Sequence, residues 1–347
     1  MVVGGGLVGA SLAYELVSAG AGVTVVDRHD PGRATDAGAG ILSPETNQDP
    51  DPDTFAFGMA AARHHQSLAE RLRADGATDT GLAEAVDPAD AAGYFPPLGP
   101  VHRALHSPVA RRVDGRVLAG ALRAAAEARG ARWLGSSAVG VELDRTRRVA
   151  TGVVTPDGSV PAGAVVIAGG AWSPELGRAF ATVLPVEPLK GQIVHLRLPD
   201  VDSSAWTIVQ PLLSFYLVPW PDGRVACGGT MEAAAGFDHR VTAEGMLQLL
   251  GECLRTAPGL AGATVTEVRV GSRPATPDQR PVLGRLPEWE NAYVATGHGA
   301  EGLLLGPLSA RMVAGAVLGV DEPDHVHRAL ADQVLAATSP GRFAGSS

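Results

Sequence analysis

The first nine residues end in Gly4-Gly5-Gly6-Leu7-Val8-Gly9, a G-x-G-x-x-G turn reached directly from the apolar Met1-Val2-Val3 and followed at once by a helix-like run. In that order the first glycine admits a tight strand-to-helix turn, the second lets the backbone approach a pyrophosphate, and the third lets helix and strand pack closely. The helix N-terminus then offers its amides to the phosphates. Ser11 to Ala19 reads as an amphipathic helix, Gly20 to Gly22 as its stop, and Val23 to Asp27 as a second strand ending in a carboxylate. Asp27 stands about 20 residues past the glycines, where a carboxylate accepts hydrogen bonds from the hydroxyls of a ribose. It would repel a 2′-phosphate, so a dinucleotide other than NADP is expected.

A chain of 347 residues with 45% hydrophobic content has room for two domains or one large one. The net charge of −9 and the lack of a basic cluster argue against nucleic acid, leaving a small molecule as the expected partner. No apolar stretch comes near the roughly 18 residues of a membrane helix, and no basic region precedes an apolar one at the N-terminus. A cytoplasmic protein without a membrane partner is expected. Cys227 and Cys253 fit a reducing compartment and have no metal-ligand spacing. Lys190 is the one lysine among 28 basic residues, so most arginines must be solvated surface groups. A homo-oligomer is neither required nor excluded.

Three separated segments carry dinucleotide-fold character. The first is residues 1–44. The second includes a helix from Leu118 to Ala128, strands at Gly130 to Leu134, Val139 to Leu143, Thr151 to Thr155 and Ala164 to Ala168, and a glycine corner at Gly169-Gly170. The third is the strand Ala292 to Thr296, the corner Gly297-His298-Gly299 and a helix from Gly302 to Leu318. Between the second and third lie β-rich runs at Gln192 to Leu198, Ser214 to Trp220 and Arg224 to Cys227, read as an antiparallel meander. The expected fold class is α/β: a Rossmann-like cofactor domain with a second, α+β substrate domain on an antiparallel sheet. The cofactor domain takes residues 1–44, 108–180 and 265–335. The substrate domain takes 45–107, including a helix from Thr54 to Asp75, and 181–264. Residues 341–347 are expected to be a disordered tail.

The chain resembles the FAD-dependent amino acid oxidases, the family of D-amino acid oxidase, sarcosine oxidase and glycine oxidase, with the glycine oxidase branch most similar. The resemblance covers nearly the whole length. It rests on Gly4 to Gly9 with Asp27, on Ala34 to Pro44, on Val113-Asp114-Gly115-Arg116 and on Ala168 to Ser173. It continues through Tyr216-Leu217-Val218-Pro219, Gly229-Thr230-Met231, Arg273-Pro274 and Gly297-His298-Gly299. It implies a bound FAD, non-covalent because the position matching the sarcosine oxidase flavin cysteine falls near Ala275. The implied cofactor contacts are Gly4, Gly6, Leu7, Val8 and Gly9; Asp27 and Arg28; Ala34, Thr35, Ala39, Gly40, Ile41 and Leu42; Val139 at the adenine; Ala168, Gly170 and Trp172; and His298, Gly299, Ala300, Glu301, Gly302 and Leu303. A flavin ring is flat and rigid, so backbone lies against it where side chains are small, as from Ala34 to Gly40. His298 is assigned to the cofactor through backbone amides at a helix N-terminus.

In the family the arginine matching Arg273 clamps the substrate carboxylate, which suits the planar fork of a guanidinium. Tyr216 and Met231 match pocket residues of glycine oxidase, a hydroxyl donor and an apolar wall. Glycine oxidase has an arginine and an asparagine where this chain has Ala300 and Glu301. The carboxylate favours a positively charged amine, and the room left at Ala300 favours an N-substituted glycine. Hydride transfer to FAD, imine hydrolysis with C–N cleavage to glyoxylate and a free amine, and reduction of O₂ to hydrogen peroxide are then expected. A D-amino acid oxidase, a glycine or sarcosine oxidase, and an FAD-dependent dehydrogenase with another acceptor stay open as alternatives. Lys190 is expected to form a structural ion pair.

Overall fold

A computed structural model describes residues 1–44, 51–80, 82–84, 91–101, 104, 107, 110–146, 148–211, 215–320 and 325–343. Expectations that fall on 45–50, 85–90, 108–109, Ser214, 321–324 and the tail from 344 lie outside the described residues.

β1 (Val2–Val3) ends on Gly4 at a φ of +106°, and a Cβ there would stand 2.4 Å from the Ala168 carbonyl oxygen. No side chain fits that turn. The chain enters α1 (Leu7–Ser18) and then β2 (Thr24–Val26), which delivers Asp27. α2 (Ala34–Ala37) and β3 (Ile41–Leu42) follow. α3 (Pro52–Ala74) starts with proline at its first position and with the Asp51 carboxylate accepting from the Thr54 N–H at 3.2 Å. β4 (Leu82–Glu84), α4 (Ala91–Tyr94) and β5 (Arg111–Val113) lead to α5 (Gly115–Ala128), capped by Asp114. Next come β6 (Arg132–Leu134), β7 (Gly140–Asp144), β8 (Val149–Thr155), β9 (Gly158–Pro161), β10 (Val165–Ile167) and α6 (Ser173–Gly177). β11 (Glu187–Arg197), β12 (Tyr216–Pro219), β13 (Arg224–Gly228), α7 (Ala243–Thr256) and β14 (Thr264–Ala275) carry the β-branched part of the chain. β15 (Val282–Arg285), β16 (Ala292–Thr296), α8 (Gly302–Leu318) and α9 (His325–Ala337) complete it.

The fold is mixed α/β. One sheet has the order β15-β16-β10-β1-β2-β6, parallel except for the edge strand β15. Its inner strands β1, β2, β10 and β16 are short and largely apolar, as expected for strands covered on both faces. A second sheet has the order β12-β13-β11-β14, and every pairing in it is antiparallel. Two small antiparallel sheets, β3-β5-β4 and β7-β8-β9, flank these.

Four expectations are corrected. The antiparallel strands do not form a meander: β13 inserts between β12 and β11, because the long connection from Leu198 to Phe215 carries β12 to the outer edge. β14, placed from residue 265 in the cofactor domain, pairs along its length with β11 and belongs to the antiparallel sheet. α3, placed in the substrate domain, buries Phe57, Ala61, Leu68 and Leu72 in one core with α1, α5 and α8. The tail is ordered further than expected, since Pro340–Phe343 forms a 3-10 turn with Arg342 on the Asp278 carboxylate at 2.7 Å.

Gly299–Leu318, α8 with its preceding turn, is long and apolar enough to cross a membrane by length and composition, contrary to expectation. It packs against α1 and α3 in the core, which explains its composition. Gly9 lies where a Cβ would come 1.9 Å from the Gly4 carbonyl oxygen, so α1 can sit this close to β1 only with glycine there. Gly9→Ala should therefore cost about 1–3 kcal/mol and lower flavin retention, read as a reduced melting temperature and flavin-to-protein ratio.

Candidate active site

One cavity of about 1530 Å³ runs between the two large sheets. That exceeds the roughly 300–1,000 Å³ of an ordinary ligand pocket, so a dinucleotide and a small substrate both fit. One end is built on Gly4, Gly5, Gly6, Asp27 and Arg28, and the other on Tyr216, Met231 and Arg273. Between them lie Ala34, Thr35, Ala39, Gly40, Ile41, Ala168, Gly170 and Trp172, and the corner His298 to Leu303.

At the first end a Cβ on Gly5 would stand 2.7 Å from Asp27 Oδ2, so the bare glycine lets the carboxylate reach the loop. Arg33, which composition had submerged among surface arginines, donates to Asp27 at 3.2 Å and to Asp36 at 3.0 Å. Arg28 pairs with Asp30 and Glu175 instead of standing free. Thr35 Oγ1 accepts the Leu7 N–H at 2.9 Å, which fixes the glycine loop from below. Thr296 Oγ1 donates to the Gly170 carbonyl at 2.8 Å and accepts from Ser173 Oγ at 3.0 Å, joining the second and third glycine corners.

Three expected cofactor residues are not on the cavity wall. Gly9 is beneath it for the packing reason given above. Leu42 is fully buried core. Val139 is 63% exposed, and its N–H is already donated to the Val154 carbonyl at 2.8 Å; its neighbour Ala138 lines the cavity instead. Trp172 lines the wall and stacks on Phe237, with ring centroids 4.8 Å apart, next to His239. Sequence spacing gave no sign of that aromatic group.

At the other end, Arg273 of β14 donates from Nη1 to the Thr230 carbonyl at 3.0 Å. Its space depends on Gly191 in the paired strand β11, where a Cβ would fall 2.1 Å from Nη1. Gly229 lies between Arg273 and Tyr216, a Cβ there being 3.0 Å from both Nη2 and the Tyr216 hydroxyl. Among the described residues no carboxylate pairs with Arg273. Burial pushes the Tyr216 hydroxyl's pKa up and the neighbouring guanidinium partly offsets this, so the phenol is a neutral donor. Met231 lines this end of the cavity and is 59% exposed, which places it at the rim. Lys190 is buried with its ammonium 3.0 Å from Glu232, the structural ion pair expected. Glu232 also accepts from Gln192 and Thr230, so this network backs the carbonyl that holds Arg273.

The His298 imidazole is engaged inside the protein. Its Nε2 is 3.0 Å from Ser309 Oγ, which itself donates to the Leu305 carbonyl, so Nε2 carries the proton. His65 of α3 donates to the Leu303 and Leu304 carbonyls at 2.9 and 3.1 Å. Burial lowers both rings to about 4. Neither is a free base, and together they fix the start of α8, whose N-terminal dipole favours negative charge at the cavity.

Residues 1–316 match the DAO family, described as FAD dependent oxidoreductase. The chain belongs to this family and is an FAD-dependent oxidoreductase. It is 36% identical over 92% of its length to an uncharacterized oxidoreductase, YurR, of Bacillus subtilis (strain 168), covering 94% of that protein. It is 30% identical to a glycine oxidase of Pseudomonas putida (strain KT2440), covering 92% of this chain and 94% of the relative. Among solved structures it is similar to iminodiacetate oxidase from Chelativorans sp. BNC1, at 36% identity and a TM-score of 0.87 over 98% of both chains. The small-residue run, the glycine loop with Asp27 and the size of the cavity fit FAD.

The buried rings set a pH dependence. An unfolded histidine takes up a proton near pH 6.5, but His65 and His298 resist until about 4. Stability is therefore full above 6.5 and falls as pH drops towards 4, by up to about 3 kcal/mol per ring. Melting temperatures between pH 7.5 and 4.5 should show this decline, and His298→Asn should make it shallower.

Proposed function

We propose that this protein is an amine oxidase acting on N-substituted glycines, with non-covalently held FAD. The observation that carries the reading is Arg273: a half-buried guanidinium on a largely apolar cavity, with no carboxylate partner among the described residues, beside a phenol donor. Such a group binds an incoming carboxylate in preference to other ligands. The similarity to iminodiacetate oxidase supports the substrate class, iminodiacetate being a glycine whose nitrogen carries a second carboxymethyl group.

In this reading Arg273 takes the glycine carboxylate bidentately, and Tyr216 donates to the same group. Both are held on strands of one antiparallel sheet, β14 and β12, which fixes the orientation of the Cα–H bond. The apolar walls, including Ile193, Ile208 and Phe215, exclude water while the amine is oxidised. The amides at the start of α8 face the part of the cavity where negative charge grows. FAD supplies the two-electron hydride acceptor. Water then adds to the imine, the C–N bond breaks, and glyoxylate and a free amine leave. Dioxygen regenerates the oxidised protein and becomes hydrogen peroxide.

The test is the flavin absorbance of the purified protein under anaerobic conditions. Sarcosine and bulkier N-carboxymethyl amines should bleach it, faster than glycine or D-alanine. A faster response to D-alanine would overturn the substrate class, and bleaching without peroxide in air would overturn the acceptor. Arg273→Ala should lower kcat/KM by about 10²–10³-fold, the value of a broken buried charge pair. Gly191→Ala should do the same in milder form by displacing Nη1, with flavin content unchanged in both.

A further inference from the structure

Glu301 sits in the turn Gly299–Glu301 immediately before α8, on the cavity wall and packed against β14, the strand of Arg273. Its backbone N–H is donated to the His298 carbonyl at 2.9 Å, but its carboxylate makes no hydrogen bond or ion pair among the described residues. Every other acidic group on the wall is committed: Asp27 to Arg33, and Asp30 and Glu175 to Arg28. A desolvated carboxylate with no partner is costly to keep, and a perturbed one in a cleft marks a functional position.

The ionisable groups around it are few. Arg273 of β14 and Tyr216 of β12 share the cavity wall with it. His298 of its own loop and His64 and His65 of α3 are buried, and Asp36 of α2 is tied to Arg33. Burial raises the Glu301 carboxyl pKa above its ordinary value, with no charged neighbour contributing.

The reaction of the preceding subsection, on which this inference rests, leaves one requirement unmet. A secondary amine reaches neutral water as an ammonium, and its nitrogen needs a free lone pair before hydride can leave Cα. We propose that Glu301 is the catalytic base that takes this proton. One N–H bond breaks and one carboxyl O–H bond forms. The freed lone pair makes the C=N bond as the Cα hydride passes with two electrons to FAD, so the substrate is oxidised and the flavin reduced. A raised proton affinity suits a carboxylate to this task. The same group selects amines over uncharged isosteres of the same shape.

The test uses the FAD-loaded protein and Glu301→Gln. In the variant, anaerobic flavin reduction by sarcosine should fall about 100-fold at pH 7 and recover as pH rises to the amine's own pKa; Glu301→Asp should restore part of the rate. A second readout involves no turnover. (Methylthio)acetate, an anion with no amine, should perturb the flavin spectrum with an affinity that rises as pH falls and Glu301 loses its charge. In Glu301→Gln that dependence should vanish. A variant with the wild-type rate and pH profile overturns the proposal, as does one in which rate and (methylthio)acetate affinity fall together at every pH. If no N-substituted glycine bleaches the wild-type protein, the function proposed above fails with it; bleaching with an indifferent Glu301→Gln sinks this proposal alone.

Discussion

The structure depends on how closely β1, α1 and β10 approach one another at Gly4. The Gly4 turn leaves no room for a side chain against Ala168, and Gly9 none against Gly4. These two contacts bring the N-terminus of α1 to the edge of the parallel sheet, where its amides and the Asp27 carboxylate face one cavity. Without that approach the helix would stand off the sheet, and the dipole and hydrogen-bond donors on which an anionic cofactor depends would be misplaced. Thr35 adds a bond to Leu7 from outside the unit, so the loop is fixed on two sides.

The antiparallel sheet repeats this logic at the other end. Arg273 occupies space that exists because residue 191 on the adjacent strand is glycine, and it is oriented by a carbonyl backed by the buried Lys190–Glu232 pair. A buried pair is weak evidence for stability but does fix geometry here, because one end of its network is the residue that holds the guanidinium. The Arg273 guanidinium is thus held rigidly, while Met231 and Ala300 lie on the exposed rim. A rigid guanidinium beside an open rim is what the proposed substrate class, a carboxylate with a variable nitrogen substituent, would require.

Much of the fold was legible because its signals are local. The glycine spacing, the strand at Thr151 to Thr155 and the apolar run of β10 each follow from a few adjacent residues. The limits of α8 were read to the residue, since Gly302 and Gly319 punctuate an unbroken apolar helix. Misreadings occurred where partner choice is long-range. Nothing within β14 says that it pairs with β11 instead of joining the segment that follows it. Nothing within α3 says which core its apolar stripe will fill, and the strand order β12-β13-β11 depends on a connection whose path leaves no mark in sequence.

The site divides in the same way. Sequence by itself determined the cofactor end: glycines at fixed spacing, a carboxylate at the end of the second strand and a run of small residues carry their chemistry wherever they occur. Tertiary structure alone decided that Val139 points its N–H at Val154, that Leu42 is core, and that Arg33 reaches Asp27. It also decided which cavity arginine and which cavity carboxylate would have no ion-pair partner among the described residues, because that depends on what distant segments bring alongside. Arg273 and Glu301 face the cavity without an ion-pair partner among the described residues, while Arg28, Asp27 and Lys190 neutralise their neighbours, and residue type and spacing carry no trace of that difference.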